Sequence, residues 1–510
     1  MRPTSLVHPS TPGMSFSPIH LALSLALGIP ALHARGAPDA RDSVETSSRS
    51  ASAAIDRYAA DYLDRTGLPG AAIVITRGST VVHARGYGAD GDGRPVTSRT
   101  PMPVASLSKS FTALALLQLA EQGLVALDTA VVRYLPDFAL ADRRFSAITV
   151  RQLLDHTSGM SDMTFREKSL PQPASLAGAV ERLRIATLAD DPGTAAHYHN
   201  PNYQVAARLV EVVSGEPFGD YLLRHVFTPL GMTHTSTVAT TRGVDALARG
   251  HVQFYGVTVP ADEPSWFLDG SSGVITTAED IARWLIVHAG GRGNAPESPL
   301  VSPEGLRRLH GDPASAGGEP ARRGLGWTWR REGDGGAQLY HAGWLFTATA
   351  SQVVLPAEGY GIAVMANRGI GLHGDDADRL ARGVISILRG EEPAAATPLG
   401  AFLGAAFALV TLGTVAMGVR ALRRSRRWAE RHATRPLPRV VLLLAPLVVP
   451  AVVLARFPEV AAYAAGGRDA SWFQLWLMAA PLIVWFFVAA LLALAVLAAR
   501  LRQLTRLRQA

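Results

Sequence analysis

The 510-residue chain contains no cysteine. That absence excludes disulfides, thiolate catalysis, Cys-ligated zinc, iron–sulfur clusters and a lipidated N-terminal cysteine. Lysine is nearly as scarce: Lys109 and Lys168 are the two lysines among 49 basic residues, and the other 47 are arginine. Arginine cannot be deprotonated in a protein, so a lysine retained in such a sequence marks a place for an amine that can lose its proton. There is no Walker loop, no strand-linked G-x-G-x-x-G and no H-E-x-x-H, so no nucleotide cofactor and no metal is expected. Charged residues make up 18% and aromatics 7%, against 48% hydrophobic, which excludes a disordered chain. At this length at least two structural units are expected.

The net charge of +7 is unevenly placed. From Pro393 onward fourteen Arg face three acidic residues, a net of +11, which leaves −4 for residues 1–392. The basicity belongs to a membrane-associated tail, and no nucleic-acid partner is implied. Three apolar segments lie in that tail, at about 394–419, 437–455 and 472–499, the second carrying Pro446 and Pro450. They read as three transmembrane helices that place the chain in a lipid bilayer. Eight Arg against Glu430 between Arg420 and Arg439, and four Arg in the tail at 500–510, put those stretches in the cytoplasm and the segment before residue 394 outside. At the other end, residues 19–32 are apolar but short for a span, and Ala34-Arg35-Gly36 fits a cleavage site. Residues 1–36 are therefore expected to be a signal peptide, with an uncleaved anchor as the alternative, and residues 37–49 a linker.

Residues 50–390 read as one exported domain. Ala51 to Arg65 has helical spacing, followed by strands at 71–76 and 80–87. A mainly helical middle leads to strands at 338–340, 347–355 and 361–365 and a final amphipathic helix, 375–388. Strands at both ends with helices between predict an α+β fold, its antiparallel sheet built from the two termini around a helical insertion.

Ser106-x-x-Lys109 opens a buried-helix pattern, and residues three apart share a helix face, so hydroxyl and amine meet at its start. Tyr198-x-Asn200 is the single Y-x-N among eleven Tyr and four Asn. A phenol can relay the proton a serine loses, and an amide can orient a lysine and hold a substrate carbonyl. His341-Ala342-Gly343 lies at a predicted strand edge, where glycine permits close backbone approach and the Trp344 N–H can join that of Ser106 as an oxyanion donor. The same triplet at His288-Ala289-Gly290 ends a helical pattern and reads as an ordinary C-terminal signal. His156 reads as a loop-fixing hydrogen-bonding residue.

Together, Ser106-x-x-Lys109, Tyr198-x-Asn200 and His341-x-Gly343 resemble the three motifs of the serine β-lactamase and penicillin-binding protein superfamily, on the class C and D-alanyl-D-alanine carboxypeptidase side. Leu153-Leu154-Asp155-His156-Thr157-Ser158-Gly159 and Gly270-Ser271-Ser272-Gly273 resemble two further stretches of that superfamily. The resemblance covers about residues 50–390 and leaves the membrane segments outside. It implies a β-lactamase/transpeptidase-like fold, acylation of Ser106, acid/base duty shared by Lys109 and Tyr198, positioning by Asn200, and an oxyanion hole from Ser106 and Trp344. Substrate would be bound by Asn200, His341, Gly343 and Trp344, without a cofactor.

His341 stands where β-lactamases carry a lysine that helps to hold a substrate carboxylate, as in members similar to esterases and D-aminopeptidases. Arg368, just after the last predicted strand, reads first as a solvated loop arginine, with a source of the missing charge as the alternative. The expected activity is hydrolysis of an amide or ester, of the D-amino-acid peptide type related to bacterial cell wall, by a domain outside the cytoplasmic membrane. A small-molecule esterase or transesterase and a penicillin-recognising sensor or binding module remain the alternatives. Oligomeric state is not legible.

Overall fold

The computed structural model describes residues 40–509 except 242–248, 291–299, 312–323, 332–335, 465 and 470, with side chains from Ser50 onward. The expected signal peptide, residues 1–36, lies outside the described residues. Helix α1, Ala40–Thr66, begins inside the stretch expected to be linker. The sequence from Ala40 to Arg49 has no apolar periodicity to announce a helix, so its first turns were not legible.

After α1 the chain forms β1 (Gly70–Arg77) and β2 (Thr80–Gly88), and it returns to the same sheet much later with β3 (Thr328–Arg330), β4 (Gln338–Trp344), β5 (Thr349–Leu355) and β6 (Tyr360–Ala366). The strand order is β2-β1-β6-β5-β4-β3, and every pairing is antiparallel. Ala71 pairs with Ala366 and Arg77 with Tyr360, so the sheet is closed at its middle by the two ends of the domain, as the sequence predicts. Central strands covered on both faces read as unbroken apolar runs, and β1 is buried from Gly70 to Thr76.

Alternate residues of β1 serve two cores. Ala71, Ile73 and Ile75 face Ile55, Ala59 and Tyr62 of α1 and Leu380, Ala381 and Val384 of α5 (Asp376–Leu388). Ala72 and Val74 face the larger core, with Phe111 and Leu114 of α2 (Ser108–Glu121), Leu209 of α3 (Asn200–Ser214) and Trp284 of α4 (Ala278–His288). The middle of the chain is less purely helical than expected. A hairpin, Gly250–Phe254 with Val257–Ala261, and a small ribbon of Met102–Pro103, Val274–Thr276 and Ser236–Thr237 interrupt it. These strands are short or half-exposed, so they leave little periodic signal.

Arg368 departs from both readings made of it. It is 1% exposed, forms a two-pronged ion pair with Asp376 at 2.9 and 3.1 Å and donates to the Thr66 carbonyl, tying the end of β6 to α1 and α5. It is therefore neither a solvated loop residue nor a spare cation. His288, by contrast, is the structural histidine expected: it closes α4, bonds His310 at 2.7 Å and packs on Trp284 and Trp327.

Two described helices are long and apolar enough to cross a membrane, α6 (Leu399–Arg423) and α7 (Trp472–Gln509). The third expected span is a bent pair, Leu437–Leu447 and Val449–Ala455, meeting at 46°. Pro446 and Pro450 remove helical donors on either side of the bend. Phe402, Leu409, Leu412, Met417, Leu442 and Leu491 are exposed on these helices, an apolar surface suited to lipid, and it supports anchoring in a bilayer.

Candidate active site

The residue before Ser106, Ala105, has φ 48°, a conformation costly for a side chain with a Cβ. Such strain persists where surrounding structure imposes it, commonly at functional sites. Here the 3₁₀ turn Ala105–Leu107 runs directly into α2, turning Ser106 toward a cavity of about 380 Å³ while both neighbours stay buried. Helix α2 is buried on all sides, so its polar residues must find partners inside. Lys109, wholly buried, donates to Ser106 Oγ at 3.2 Å, Asn200 Oδ1 at 3.0 Å and the Ser271 carbonyl at 2.9 Å.

Tyr198 and Asn200 enter from the start of α3. Pro201 suits the first turn of that helix, and its N-terminus lies earlier than the apolar pattern predicts, which places Y-x-N at the helix entry. The Tyr198 hydroxyl hydrogen-bonds both Lys109 and Ser106. Asn200 bridges Lys109 to Glu167, its Nδ2 donating to Glu167 Oε1 at 2.9 Å. His156, in the Leu153–Gly159 turn with φ 65°, accepts from the His199 N–H and the Asn202 amide, and its ring lies 4.4 Å from that of Tyr198. It thus fixes the backbone that presents Tyr198.

Strand β4 closes the opposite wall. It continues through the third motif to Trp344, whereas the sequence placed the strand end before it. A Cβ on Gly343 would lie 2.4 Å from the Val104 carbonyl and 2.9 Å from the Ser106 nitrogen, so only glycine lets this strand touch the turn that carries Ser106. Both contacts are backbone and cannot swing aside. Gly343→Ala is expected to slow covalent labelling of Ser106 by about 100-fold, since a misplacement of ~1 Å costs that much; the pseudo-first-order labelling rate measures it. His341 is nearly buried, its Nδ1 2.7 Å from the Ala342 carbonyl, and it lines the cavity with Trp344.

Burial drives the Lys109 ammonium below its usual pKa, and the Arg468 charge adds to this, while Tyr198 and Glu167 oppose it. For Tyr198, burial alone would raise the phenol, but the positive charges of Lys109 and Arg468 outweigh it and hold the pKa below the ordinary value. A hydroxyl in reach of an amine and a phenol that both release protons more readily than usual is equipped to become a nucleophile.

Five of the seven residues singled out from the sequence, Ser106, Tyr198, Asn200, His341 and Trp344, line one cavity, and the other two, Lys109 and Gly343, contact Ser106 from behind it. The three charged residues of its wall, Glu167, Lys168 and Arg468, were not singled out as site residues. Lysine scarcity was a usable signal for Lys168, whose Nζ lies 4.9 Å over the Trp344 ring. Arg468 sits among residues of the membrane region, where local sequence gives no reason to expect it here. Among the described residues no group of three or more His, Asp or Glu side chains is arranged to hold a metal.

The Beta-lactamase family profile matches residues 55–385. The chain belongs to this family. Protein flp of Staphylococcus aureus (strain NCTC 8325 / PS 47) is 28% identical to it over 319 residues, 61% of this chain and 62% of flp. Penicillin-binding protein 4 of Amycolatopsis lactamdurans is 31% identical over 249 residues, 48% of this chain and 63% of that protein. The chain thus spans less than two thirds of either relative's length. The structure of D-amino acid amidase from Ochrobactrum anthropi SV3 superposes with a TM-score of 0.56 at 22% identity, covering 67% of this chain and 100% of the amidase, a likeness of fold. Fold and family support a serine-hydrolase-like enzyme, and the Beta-lactamase match ends before α6, so the apolar helices lie outside it.

Proposed function

We propose that the chain is a membrane-anchored serine hydrolase that cleaves an amide or ester of a D-amino-acid-type peptide through an acyl-enzyme on Ser106. The observation that carries this reading is the closed set Ser106–Lys109–Tyr198–Asn200, in which Lys109 is buried behind the three others at the wall of one cavity. Lys109 and Tyr198 take the Ser106 proton as its Oγ attacks the substrate carbonyl, and return it to the leaving group. The N–H groups of Ser106 and Trp344 receive the oxyanion, with Gly343 giving the approach. Water then releases the acyl group.

Intact-protein mass spectrometry of the full chain in detergent, after a fluorophosphonate and separately after penicillin, tests the assignment. A single adduct at Ser106 supports it, and folded protein without an adduct from either reagent overturns it. A penicillin adduct favours cell-wall peptide chemistry; a fluorophosphonate adduct alone favours the esterase alternative.

Lys168 is the basic group placed to supply the positive charge that His341 does not, although burial and the Arg468 charge hold its pKa below that of an ordinary lysine while Asp162, Glu167 and Asp469 oppose them. It is partly exposed in the cavity wall, above Trp344, and no described carboxylate lies within ion-pairing distance of it. Lys168→Met should raise KM about tenfold for esters bearing a free carboxylate and leave KM for neutral esters nearly unchanged. Steady-state kinetics on a matched pair of esters decides it.

A further inference from the structure

The connection between the bent pair and α7 does not hang free. Helix Phe457–Ala464 ends at Gly466 and Gly467, with φ of 67° and 83°, a pair of left-handed residues that turns the chain sharply back. The next two residues enter the catalytic domain. Asp469, its side chain fully buried, accepts from Arg166 Nε at 2.9 Å and from the N–H and hydroxyl of Ser169, and its own N–H donates to Asp162 at 2.9 Å. Arg468 donates to the Tyr198 carbonyl, lies 3.3 Å from Asp162 Oδ2, stacks its guanidinium 4.7 Å over the Tyr198 ring and lines the cavity that holds Ser106. Asp162 is in turn held by His199 at 2.5 Å, one residue from Tyr198. A second contact runs alongside: Trp266, in the cavity wall, packs at 6.3 Å on Phe473 in the first turn of α7.

We infer that residues 466–469 of the membrane region form a wall of the active site, and that Arg468 is a positioning residue that braces Tyr198 against Lys109 and Ser106. The inference rests on the acyl-enzyme reading above, but it adds a part that the family match does not contain, since that match ends at residue 385. It also requires this loop to lie on the same side of the bilayer as the catalytic domain, the side that loop charges independently give it. The membrane helices then do more than hold the enzyme in place, because they carry a residue that the site needs.

The electrostatics give the inference a readout that packing alone would not move. The groups facing the Tyr198 hydroxyl and ring are Ser106 and Lys109 from the turn and α2, His156 from its loop, and Arg468 from the membrane region. Glu167 acts on Lys109 from the neighbouring loop, and Asp162 lies behind Arg468. Burial and Arg468 both push the Lys109 pKa down; for Tyr198 burial pushes up, and Lys109 and Arg468 together override it. Loss of Arg468 therefore raises the pKa of both groups. Whichever of them is the base, the acidic limb of the acylation rate moves to higher pH.

The test uses the full chain in lipid nanodiscs and the second-order rate of fluorophosphonate labelling between pH 5 and 10, for the parent, Arg468→Gln, Arg468→Lys and Asp469→Asn. Arg468→Gln is expected to move the acidic limb up by about one pH unit. Arg468→Lys should restore the limb while its plateau stays lower, because an ammonium cannot bridge the Tyr198 carbonyl and Asp162 as the guanidinium fork does. Asp469→Asn loosens the loop from Arg166 and Ser169 and should shift the limb the same way by less; it decides the matter if Arg468→Gln fails to fold. A limb unmoved in Arg468→Gln, or moved equally in the glutamine and lysine variants, overturns the inference. A parent that does not label at all would instead strike down the Ser106 assignment.

Discussion

Ser106→Ala will eliminate the fluorophosphonate adduct and lower ester turnover by at least about 10³-fold, while the thermal midpoint of the protein stays close to that of the parent. The large effect on turnover follows from the chemistry: no other described hydroxyl touches both Lys109 and Tyr198. The small effect on stability follows from exposure. Ser106 is half-buried at the cavity edge, and its bonds to Lys109, at 3.2 Å, and Tyr198 leave both partners still bonded to each other and Lys109 still bonded to Asn200 and Ser271 when they are lost. Residual turnover would come from the oxyanion donors and binding alone. Labelling that persists in the alanine variant would place the nucleophile elsewhere.

Lys109→Arg comes next in size, with an expected loss of about 10²–10⁴ in acylation rate. The substitution keeps a positive charge, so a purely electrostatic role for Lys109 would survive it. A role as base would not, because guanidinium does not give up its proton near neutral pH. Burial holds the Lys109 pKa below that of a free lysine, so the amine is available at lower pH than ordinary lysine chemistry requires. The parent rate should rise with pH and then level off, and Lys109→Arg should lose that titration along with its rate. Tyr198→Phe, measured beside it, keeps the ring under Arg468 and removes the hydroxyl alone. Because the two groups share a hydrogen bond, the limb seen in the parent belongs to the pair, and each variant should leave a simpler profile. A Lys109→Arg variant that labels at the parental rate would overturn the base assignment.

Much of this arrangement was legible beforehand because its determinants are local. The unbroken apolar run of β1, the buried run of α2 and the three short motifs each announce themselves within a few residues. The strand patterns at the two ends of the domain give the topology, one antiparallel sheet closed by the first and last strands. The residues that escaped notice act at a distance. Glu167 is set by a loop whose shape depends on Asp162, and Asp162 depends on His199, Arg468 and Asp469. Arg368 looked like loop because it follows a strand, yet Asp376, eight residues on, draws it into the core. The hairpin at 250–261 escaped for a similar reason. Its exposed Phe254, Val257 and Val259 break the usual inside-outside pattern, and its turn at Gly256 packs on the start of α6. A pattern reader that assumes water on the outer face has no reason to place a strand there.

The pairing of β1 with β6 sets an order of events in biosynthesis. Ala71 waits for Ala366, roughly 300 residues later, so β1 and β2 emerge as a two-stranded ribbon whose β1 edge is unpaired and whose face is met by α1 alone. The sheet closes only when β6 arrives, and α6 follows it by barely more than one helix. The nascent domain therefore has to be kept from aggregating until the chain is almost at the bilayer, and the wall around Arg468 can be added only after the last helices are seated. Assembly of the catalytic pocket is in this sense the final step of membrane insertion, and a chain whose insertion stalls would have its sheet complete and its active site unfinished.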